Sequence, residues 1–358
     1  MASYGRASPR LTVAALASPA PMGAQAYEEQ IWAAARGALA SIDAGTWRVR
    51  RLTVRSLRAP LVGNRRLPMG ALIAATPRVR RIVGRALYAG DTVSHRMNLE
   101  LPPAPYGDVA TLHDIVAWRF PDESAPVSAA ADELRAADAV ICVSEFTAQE
   151  AADHLGLQRV RVIPNGVDPR YFDAAPLGDA AHAELGLPER YVLHAGGSTE
   201  RKNLEGLADA WPRVQRERPG LTLVLAGPPH PRRTTLFAGL PATMLTGRLP
   251  DAIMPAVMAG AEAVVVPSLY EGFGLPVLEA MAARVPVVAA ATSSLPEVTD
   301  GHGLLTGTTG TEIAAGLLTA TSGDSGLRQL VIDARAHAEH YTWERSAREH
   351  ARVWASLA

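Results

Sequence analysis

The stretch from Val264 to Ala290 restricts this chain more than any other. Val264-Val-Val266 has the length and β-branched character of a buried parallel strand. After a glycine turn, Leu275 to Ala283 reads as a helix with Pro276 tolerated in its first turn, and Val285 to Ala290 reads as the next strand. Strand, turn, helix and strand in that order need helices laid over a parallel sheet, so the chain is α/β. The turn, Glu271-Gly272-Phe273-Gly274-Leu275, sets consecutive backbone N–H groups at a helix N-terminus, where unpaired donors and the helix dipole favour oxygen-rich or anionic ligands. Glu271 stands at the lip of the turn and Glu279 about two helical turns further on, so both carboxylates can face one crevice at the carboxyl end of the strand. The plainer reading of the same residues is a chain reversal with two solvated acids.

The same alternation runs through the rest of the chain. Leu11–Ala17, Trp47–Leu57, Asp91–Leu99, Asp108–Leu112, Ala139–Val143 and Arg159–Ile163 read as strands. Helical patterns occupy Gln25–Leu39, Arg65–Arg85 with an interruption or restart at Pro77, residues 128–137, and Glu145–His154 capped by Ser144. Asp173–Leu187, with Pro176, Gly178 and Gly186, reads as a linker, after which Tyr191–Ala195, Leu221–Ala226, Ala242–Leu245 and Ala263–Val266 resume the strands. A chain of 358 residues has room for two such domains. The expected division is a domain over 1–172, a linker over 173–187, a second domain over 188–335, and a closing helix over 336–358.

Net charge of −1 and 48% hydrophobic residues describe an ordinary folded chain, and the longest apolar runs fall far short of the ~20 residues that span a bilayer. The single cysteine, Cys142, excludes an internal disulfide framework and sits in a strand pattern. Arg6 and Arg10 precede Leu11–Ala17 as in a short leader, but that run has the length and β character of a first strand, so a cytoplasmic location is expected. Between residues 45 and 97, arginines 48, 50, 51, 55, 58, 65, 66, 78, 80, 81, 85 and 96 face one acid, Asp91. This is either a solvated face whose long side chains cover apolar surface or a basic surface that draws an anionic acceptor or membrane. No nucleic-acid-binding motif accompanies it, and neither a dinucleotide fingerprint nor a P-loop occurs. Lysine appears once, at Lys202, among 35 basic residues, which suggests a position that needs a compact ammonium.

The segment Pro267 to Ala282 closely resembles the donor-site signature of retaining nucleotide-sugar glycosyltransferases with two Rossmann-like domains. This is the GT-B architecture of glycosyltransferase family 4 (group 1), the large family that includes bacterial mannosyltransferases and sucrose and glycogen synthases. Gly196–Leu204, Thr111–Asp114, Pro164–Asp168 and Thr292–Glu297 resemble further segments of that family in the same order. The resemblance implies two Rossmann-like domains with a cleft between them and a C-terminal helix crossing back to the N-terminal, acceptor-binding domain. It implies that Glu271 lies beside the transferred sugar and that the backbone of Gly272, Phe273, Gly274 and Leu275 holds sugar hydroxyls. Glu279 would hold the ribose, Arg201 and Lys202, beside Gly197, the leaving diphosphate, and the backbone of Ser294 and Leu295 a phosphate. His113 would point toward the sugar, although a lone His in this setting also reads as a structural residue. The family's first glycine-rich loop is reduced here to Gly23.

The implied activity is retaining transfer of a sugar from a nucleotide-diphosphate donor, GDP-mannose first, to a glycan, lipid-linked or phosphorylated acceptor. No cofactor beyond the donor substrate and no metal are expected: no Asp-x-Asp pair occurs, and His337-x-x-His340 with Glu339 reads as a solvated helix face. Peripheral contact with an anionic membrane at the inner face, through the Arg-rich 48–96 region, is the alternative use of that surface. Two rivals stay open, a sugar-nucleotide epimerase on the same architecture and a non-catalytic sugar-nucleotide-binding subunit. The second is motivated by the eroded first loop. A phosphorylase using pyridoxal phosphate would need a lysine, and Lys202 already has a role.

Overall fold

Parallel pairing organises both halves of the chain. The computed structural model describes residues 8–18, 23–43 and 46–358; Arg6 and most of the first loop, residues 19–22, lie outside them. Among the described residues one unit takes those up to Arg119 with Ser124–Gly166 and Trp343–Ala358, and the other takes Phe120–Glu123 with Val167–Thr342.

The first unit holds seven strands: β1 (Arg10–Leu16), β2 (Arg48–Ser56), β3 (Arg65–Leu67), β4 (Val93–Arg96), β5 (Asp108–Leu112), β6 (Ala139–Cys142) and β7 (Val160–Val162). They are ordered β3-β2-β1-β4-β5-β6-β7, all parallel. β4, β5 and β6 are buried along their whole length, as strands covered on both faces must be. The helices are α1 (Gly23–Ile42), α2 (Met69–Ile73), α3 (Pro77–Leu87), α4 (Val116–Arg119), α5 (Ala130–Ala136) and α6 (Glu145–Leu155). α6 is bounded by its own sequence: Ser144 Oγ accepts from the Thr147 N–H, and Gly156 closes the helix at φ 68°.

The helical pattern read over residues 65–85 restarts at Pro77 as expected, but it does not begin at Arg65. Arg65–Leu67 joins the sheet edge opposite Val54–Ser56, and two short helices follow, the second starting at Pro77, which lacks an N–H to continue the preceding turn. The arginine run is also less of a surface than its composition suggests. Arg80 and Arg96 are completely buried: Arg80 Nε lies 2.7 Å from Glu133, and Arg96 Nε 3.0 Å from Asp108. Four backbone carbonyls, of Leu72, Leu99, Glu100 and Leu101, accept the remaining Arg80 donors. With its hydrogen bonds complete such a pair is tolerated, whereas removing one partner costs about 3–5 kcal/mol.

The second unit holds β8 (Tyr191–Ala195), β9 (Thr222–Ala226), β10 (Thr243–Gly247), β11 (Ala263–Val266), β12 (Val287–Ala290) and β13 (Leu304–Thr306), all parallel in the order β10-β9-β8-β11-β12-β13. Its helices are α7 (Asp179–Glu184), α8 (Leu204–Glu217), α9 (Pro231–Phe237), α10 (Met254–Ala259), α11 (Leu275–Ala282), α12 (Leu295–Thr299), α13 (Gly310–Ala320) and α14 (Ser325–Ala338). α7 lies inside the stretch read as a structureless linker; its last turn ends at Gly186, φ 61°. The core gathers Leu204, Leu207, Trp211 and Val214 of α8 with Leu223, Leu225, Val265 and Leu317, each full burial worth about 1.5–3 kcal/mol.

The closing helix α15 (Trp343–Ser356) belongs to the first unit. Trp343, Ala347, Ala351 and Trp354 lie in one buried cluster with Tyr27, Ile31, Ala35 and Ala38 of α1. The alanines at i, i+4 spacing let the two helices approach closely. No helix among the described residues is long and apolar enough to cross a membrane.

Candidate active site

In the second sheet the strand order reverses between β8 and β11, and ligands of open α/β sheets lie outside the carboxyl ends of the strands at such a reversal. The loop after β8 carries Gly196 to Asn203, and the loop after β11 carries Pro267 to Gly274. The two are tied by backbone: the Leu269 N–H donates to the Arg201 carbonyl at 2.7 Å. Arg201 and Lys202 end a single 3-10 turn, Glu200–Lys202, and Asn203, in the left-handed conformation at φ 51°, caps α8 through the Gly206 N–H. Asn203 Nδ2 also donates to the carbonyls of Pro267 and Thr308 at 3.0 and 2.8 Å, so one amide fixes both loops.

Glu271 is the centre of this arrangement. It is 7% exposed. Lys202 Nζ lies 2.6 Å from Oε1 and an Arg201 terminal nitrogen 3.1 Å from Oε2, while Ser268 Oγ donates to Oε1 at 2.7 Å. Burial alone raises the pKa of this carboxyl; the Lys202 ammonium, then the Arg201 guanidinium and the hydrogen bonds from Lys202 and Ser268, overcome that and leave it below its ordinary 4.5. Arg201 Nε also meets Glu123 at 2.8 Å. Two cations and two carboxylates thus form one chain of charge.

The rest of the glycine turn is built around the same loop. The Ser293 hydroxyl accepts from the Glu271 N–H at 2.9 Å, and the Ser294 hydroxyl donates to the carbonyls of Glu271 and Phe273 at 2.9 and 2.8 Å. Phe273 is buried edge-on to Tyr341. Gly274 sits at φ 103°, and a Cβ there would come 2.8 Å from Leu295 Cδ2, so only glycine lets α12 pack this close. Gly272, Phe273, Gly274, Leu275, Ser294 and Leu295 therefore lie together where two helices begin, all but Leu275 buried.

Glu279 lies further along α11 and has a different environment. It is partly buried as a residue, yet desolvation of its carboxyl raises the pKa to about 7; a hydrogen bond from the Tyr171 phenol and the charge of Arg170 offset this only in part, and Asp168 and Asp251 add to the rise. Asp168 and Arg170 pair at 2.6 Å. Neither Arg170 nor Tyr171 was anticipated from sequence.

Gly197 holds its place through its carbonyl. Arg233 of α9, 2% exposed, donates to the carbonyls of Gly196, Gly197 and Pro228 at 2.5, 2.9 and 3.2 Å, pairs with no carboxylate among the described residues, and burial lowers its pKa. Gly227 at φ 150° makes room: a Cβ there would come 2.0 Å from the Gly196 oxygen. Nothing in the sequence marked Arg233, because an Arg behind a Pro-Pro-His-Pro loop reads as solvated. A separate hollow of about 500 Å³, lined by Pro176, His182 and Gly260, touches Tyr191 at the amino end of β8, away from these loops.

His113 and Gly23 belong to the first unit. His113 follows β5, its ring stands edge-on to Tyr27 at 4.8 Å, its Nε2 has no hydrogen-bond partner among the described residues, and burial lowers its pKa to about 4, so the ring is neutral. Tyr27 is fixed in turn by Thr111 at 2.9 Å and His350 Nε2 at 2.6 Å. His350 Nδ1 must donate to the Ser346 carbonyl, leaving Nε2 to accept from the phenol. Gly23 is the exposed first residue of α1. Glu28, one turn in, was not anticipated: it is buried against Asn98, and desolvation raises its pKa to about 7.

Two doubly wound parallel sheets are the architecture of the two-domain glycosyltransferases. The fold matches sucrose-phosphate synthase from Thermosynechococcus elongatus with TM-score 0.74 at 21% identity, over 98% of this chain and 99% of that one. Family models for glycosyl transferases group 1 and for Glycosyltransferase Family 4 match residues 189–322 and 98–171, and the chain belongs to that family. It is 28% identical over 273 residues to the O-antigen chain mannosyltransferase B of Escherichia coli, covering 71% of each chain. It is 29% identical over 215 residues to the GDP-mannose-dependent alpha-(1-6)-phosphatidylinositol dimannoside mannosyltransferase of Mycobacterium tuberculosis, covering 59% of this chain and 55% of that protein. The chain thus spans little more than half of the latter's length.

Proposed function

We propose that this chain transfers a hexose, mannose from GDP-mannose in the first instance, to a glycan, lipid-linked or phosphorylated acceptor with retention of configuration and without a metal. The observation that carries the reading is the buried Glu271 held between Lys202 and Arg201 at the strand-order reversal. In the transfer, the bond between the anomeric carbon and the diphosphate oxygen breaks, its electron pair leaves with the diphosphate, and the acceptor oxygen bonds to that carbon as its proton is released. Lys202 and Arg201 stabilise the charge that grows on the departing phosphate, and the backbone at Ser294 shares that task, the Leu295 N–H being donated to the Thr292 carbonyl at 3.1 Å. Glu271 orients the sugar, Glu279 takes the ribose hydroxyls, and neutral His113 serves the sugar from the first domain. The mannosyl specificity rests on the names of the two relatives.

The surface of the first unit supports an acceptor at an anionic membrane on the cytoplasmic face. Arg78, Arg81 and Arg85 of α3 are exposed beside Val79 and Ile82, which are 47% and 59% exposed, and Leu57 and Val62 are exposed as well. Basic and apolar side chains on one helix suit the boundary of an anionic bilayer. A thermal-shift screen of nucleotide sugars, followed by assay of nucleoside diphosphate release and of the anomeric configuration of the product, tests the proposal. Stabilisation by GDP-mannose with an α-linked product is expected. Binding without transfer to any acceptor extract would favour the non-catalytic subunit instead.

A further inference from the structure

The sequence pattern His337-x-x-His340 reads as a solvated helix face, but the structure gathers His337 with Asp300 and His302. One ligand atom each from Asp300, His302 and His337 lie within 4.8 Å of one another, the one such group of three among the described residues. All three belong to the second unit, outside the loops that carry Glu271 and Lys202. His337 comes from α14, while Asp300 and His302 come from the turn that ends α12. Asp300 adopts the left-handed conformation at φ 43°, and the His302 N–H donates to the Thr299 carbonyl at 2.7 Å, which closes the turn.

The His337 ring is oriented in a way a solvated histidine does not need. Its Nε2 lies 3.0 Å from the Val298 carbonyl oxygen, which can only accept, so Nε2 carries the proton and the lone pair of the neutral ring is on Nδ1. Tyr341 stands edge-on to the ring at 5.2 Å, and the His302 ring lies 4.9 Å away at an interplanar angle of 33°. Metal-bound histidines show this arrangement: the remote nitrogen donates to a backbone carbonyl, which fixes the tautomer and raises the basicity of the ligating nitrogen.

We propose that Asp300, His302 and His337 bind one divalent transition-metal ion, Zn²⁺ foremost. Two imidazoles and one carboxylate suit zinc and its first-row neighbours and leave a position for solvent, whereas Mg²⁺ and Ca²⁺ require an all-oxygen set. The ion adds a cross-link between α14 and the turn after α12, beside the hydrogen bond from His337 to Val298. It sits at the opposite end of α12 from Ser294 and Leu295, so its role is structural and transfer does not require it.

The test uses the full chain without an affinity tag, stripped with chelator, desalted and titrated calorimetrically with Zn²⁺ at neutral pH. One ion per chain is expected, with a dissociation constant on the order of micromolar, a rise in the unfolding midpoint, and no response to Mg²⁺. His302→Ala and His337→Ala each weaken binding about tenfold or more, and His340→Ala leaves it unchanged. Circular dichroism without metal checks that the variants fold; should His337→Ala unfold, His302→Gln on the exposed turn probes the same site. Absence of stoichiometric binding by the native chain overturns the proposal. So does an affinity unmoved by the His302 substitutions, or one abolished by His340→Ala, which would place the ion on α14 alone.

Discussion

Glu271 and Glu279 stand eight positions apart on one loop and helix, and both carboxyl groups are taken out of water, yet their pKa values are pushed in opposite directions. Glu271 meets an ammonium, a guanidinium and a hydroxyl, and stays ionised. Glu279 meets a phenol and an arginine already engaged with Asp168, with two further acids nearby, and its carboxyl titrates at about 7. Burial is common to both; the partners decide the charge. The difference suits separate tasks. On the proposed reading Glu271 would orient the sugar while it holds Lys202 and Arg201, and Glu279 would accept hydrogen bonds from a diol.

The largest effect expected from breaking this contrast is at Glu271. Glu271→Gln keeps the shape and removes the charge that positions both cations, so turnover should fall by about 10²–10³, measured in a transfer assay with the protein's melting curve as a control for folding. A loss of less than tenfold would mean that the ion pairs are structural only.

Glu279 gives a pH signature that Glu271 does not. In the unfolded chain its carboxyl ionises near 4.5 and in the folded one near 7, so the unfolded state loses its proton first. Its contribution therefore declines as pH rises from about 4.5 to 7 and is level above, by up to roughly 3 kcal/mol. Glu271, with its depressed value, behaves oppositely: its contribution is complete above about 4.5 and is lost as pH falls further. Urea unfolding across this range should show Glu279→Gln gaining on the native chain between pH 4.5 and 7. Parallel stability curves for the two proteins would contradict the assigned environment.

Between the two acids lies Gly274. Gly274→Ala forces a Cβ onto Leu295 at a positive φ, and should cost roughly 1–3 kcal/mol of stability, read as a lower unfolding midpoint with α11 and α12 loosened against each other. An unchanged midpoint would show that the loop repacks freely. The smallest effect is on the first unit. Arg81→Glu should weaken binding to anionic vesicles by about 1 kcal/mol, and added salt should weaken the native protein's binding as well; vesicle binding indifferent to both would return α3 to the reading of a solvated face.

Most of the donor-side loop was legible in the sequence because the parts that make it are local. The β-branched run, the glycine turn and Pro276 specify strand, loop and helix within 20 residues, and the order of the Arg-Lys pair and the two Glu along the chain placed them at one sheet reversal. What was not legible depends on partners distant in sequence. Arg80 and Arg96 read as surface charge until Glu133 and Asp108 were found beside them; Arg233 and Tyr171 carry no local mark of the carbonyls and carboxyl they meet. Within residues 65–85 only Arg65–Leu67 misled, because three Arg-rich residues fit a helix start as well as an edge strand; the restart at Pro77 was legible. His337 read as part of a solvated helix face, whereas the fold sets it beside His302.

The central claim is that the two acids divide the donor between them, and calorimetric titration of the native chain, Glu271→Gln and Glu279→Gln with guanosine diphosphate tests it most directly. Glu279→Gln should weaken binding by roughly 1.5–3 kcal/mol, the range for hydrogen bonds to a charged group. Glu271→Gln should leave diphosphate binding nearly intact, because the amide oxygen still accepts from Lys202 and Arg201 and the lost charge bears on the sugar side. Loss of diphosphate binding in a folded Glu271→Gln protein, or full retention of it in Glu279→Gln, would contradict the account.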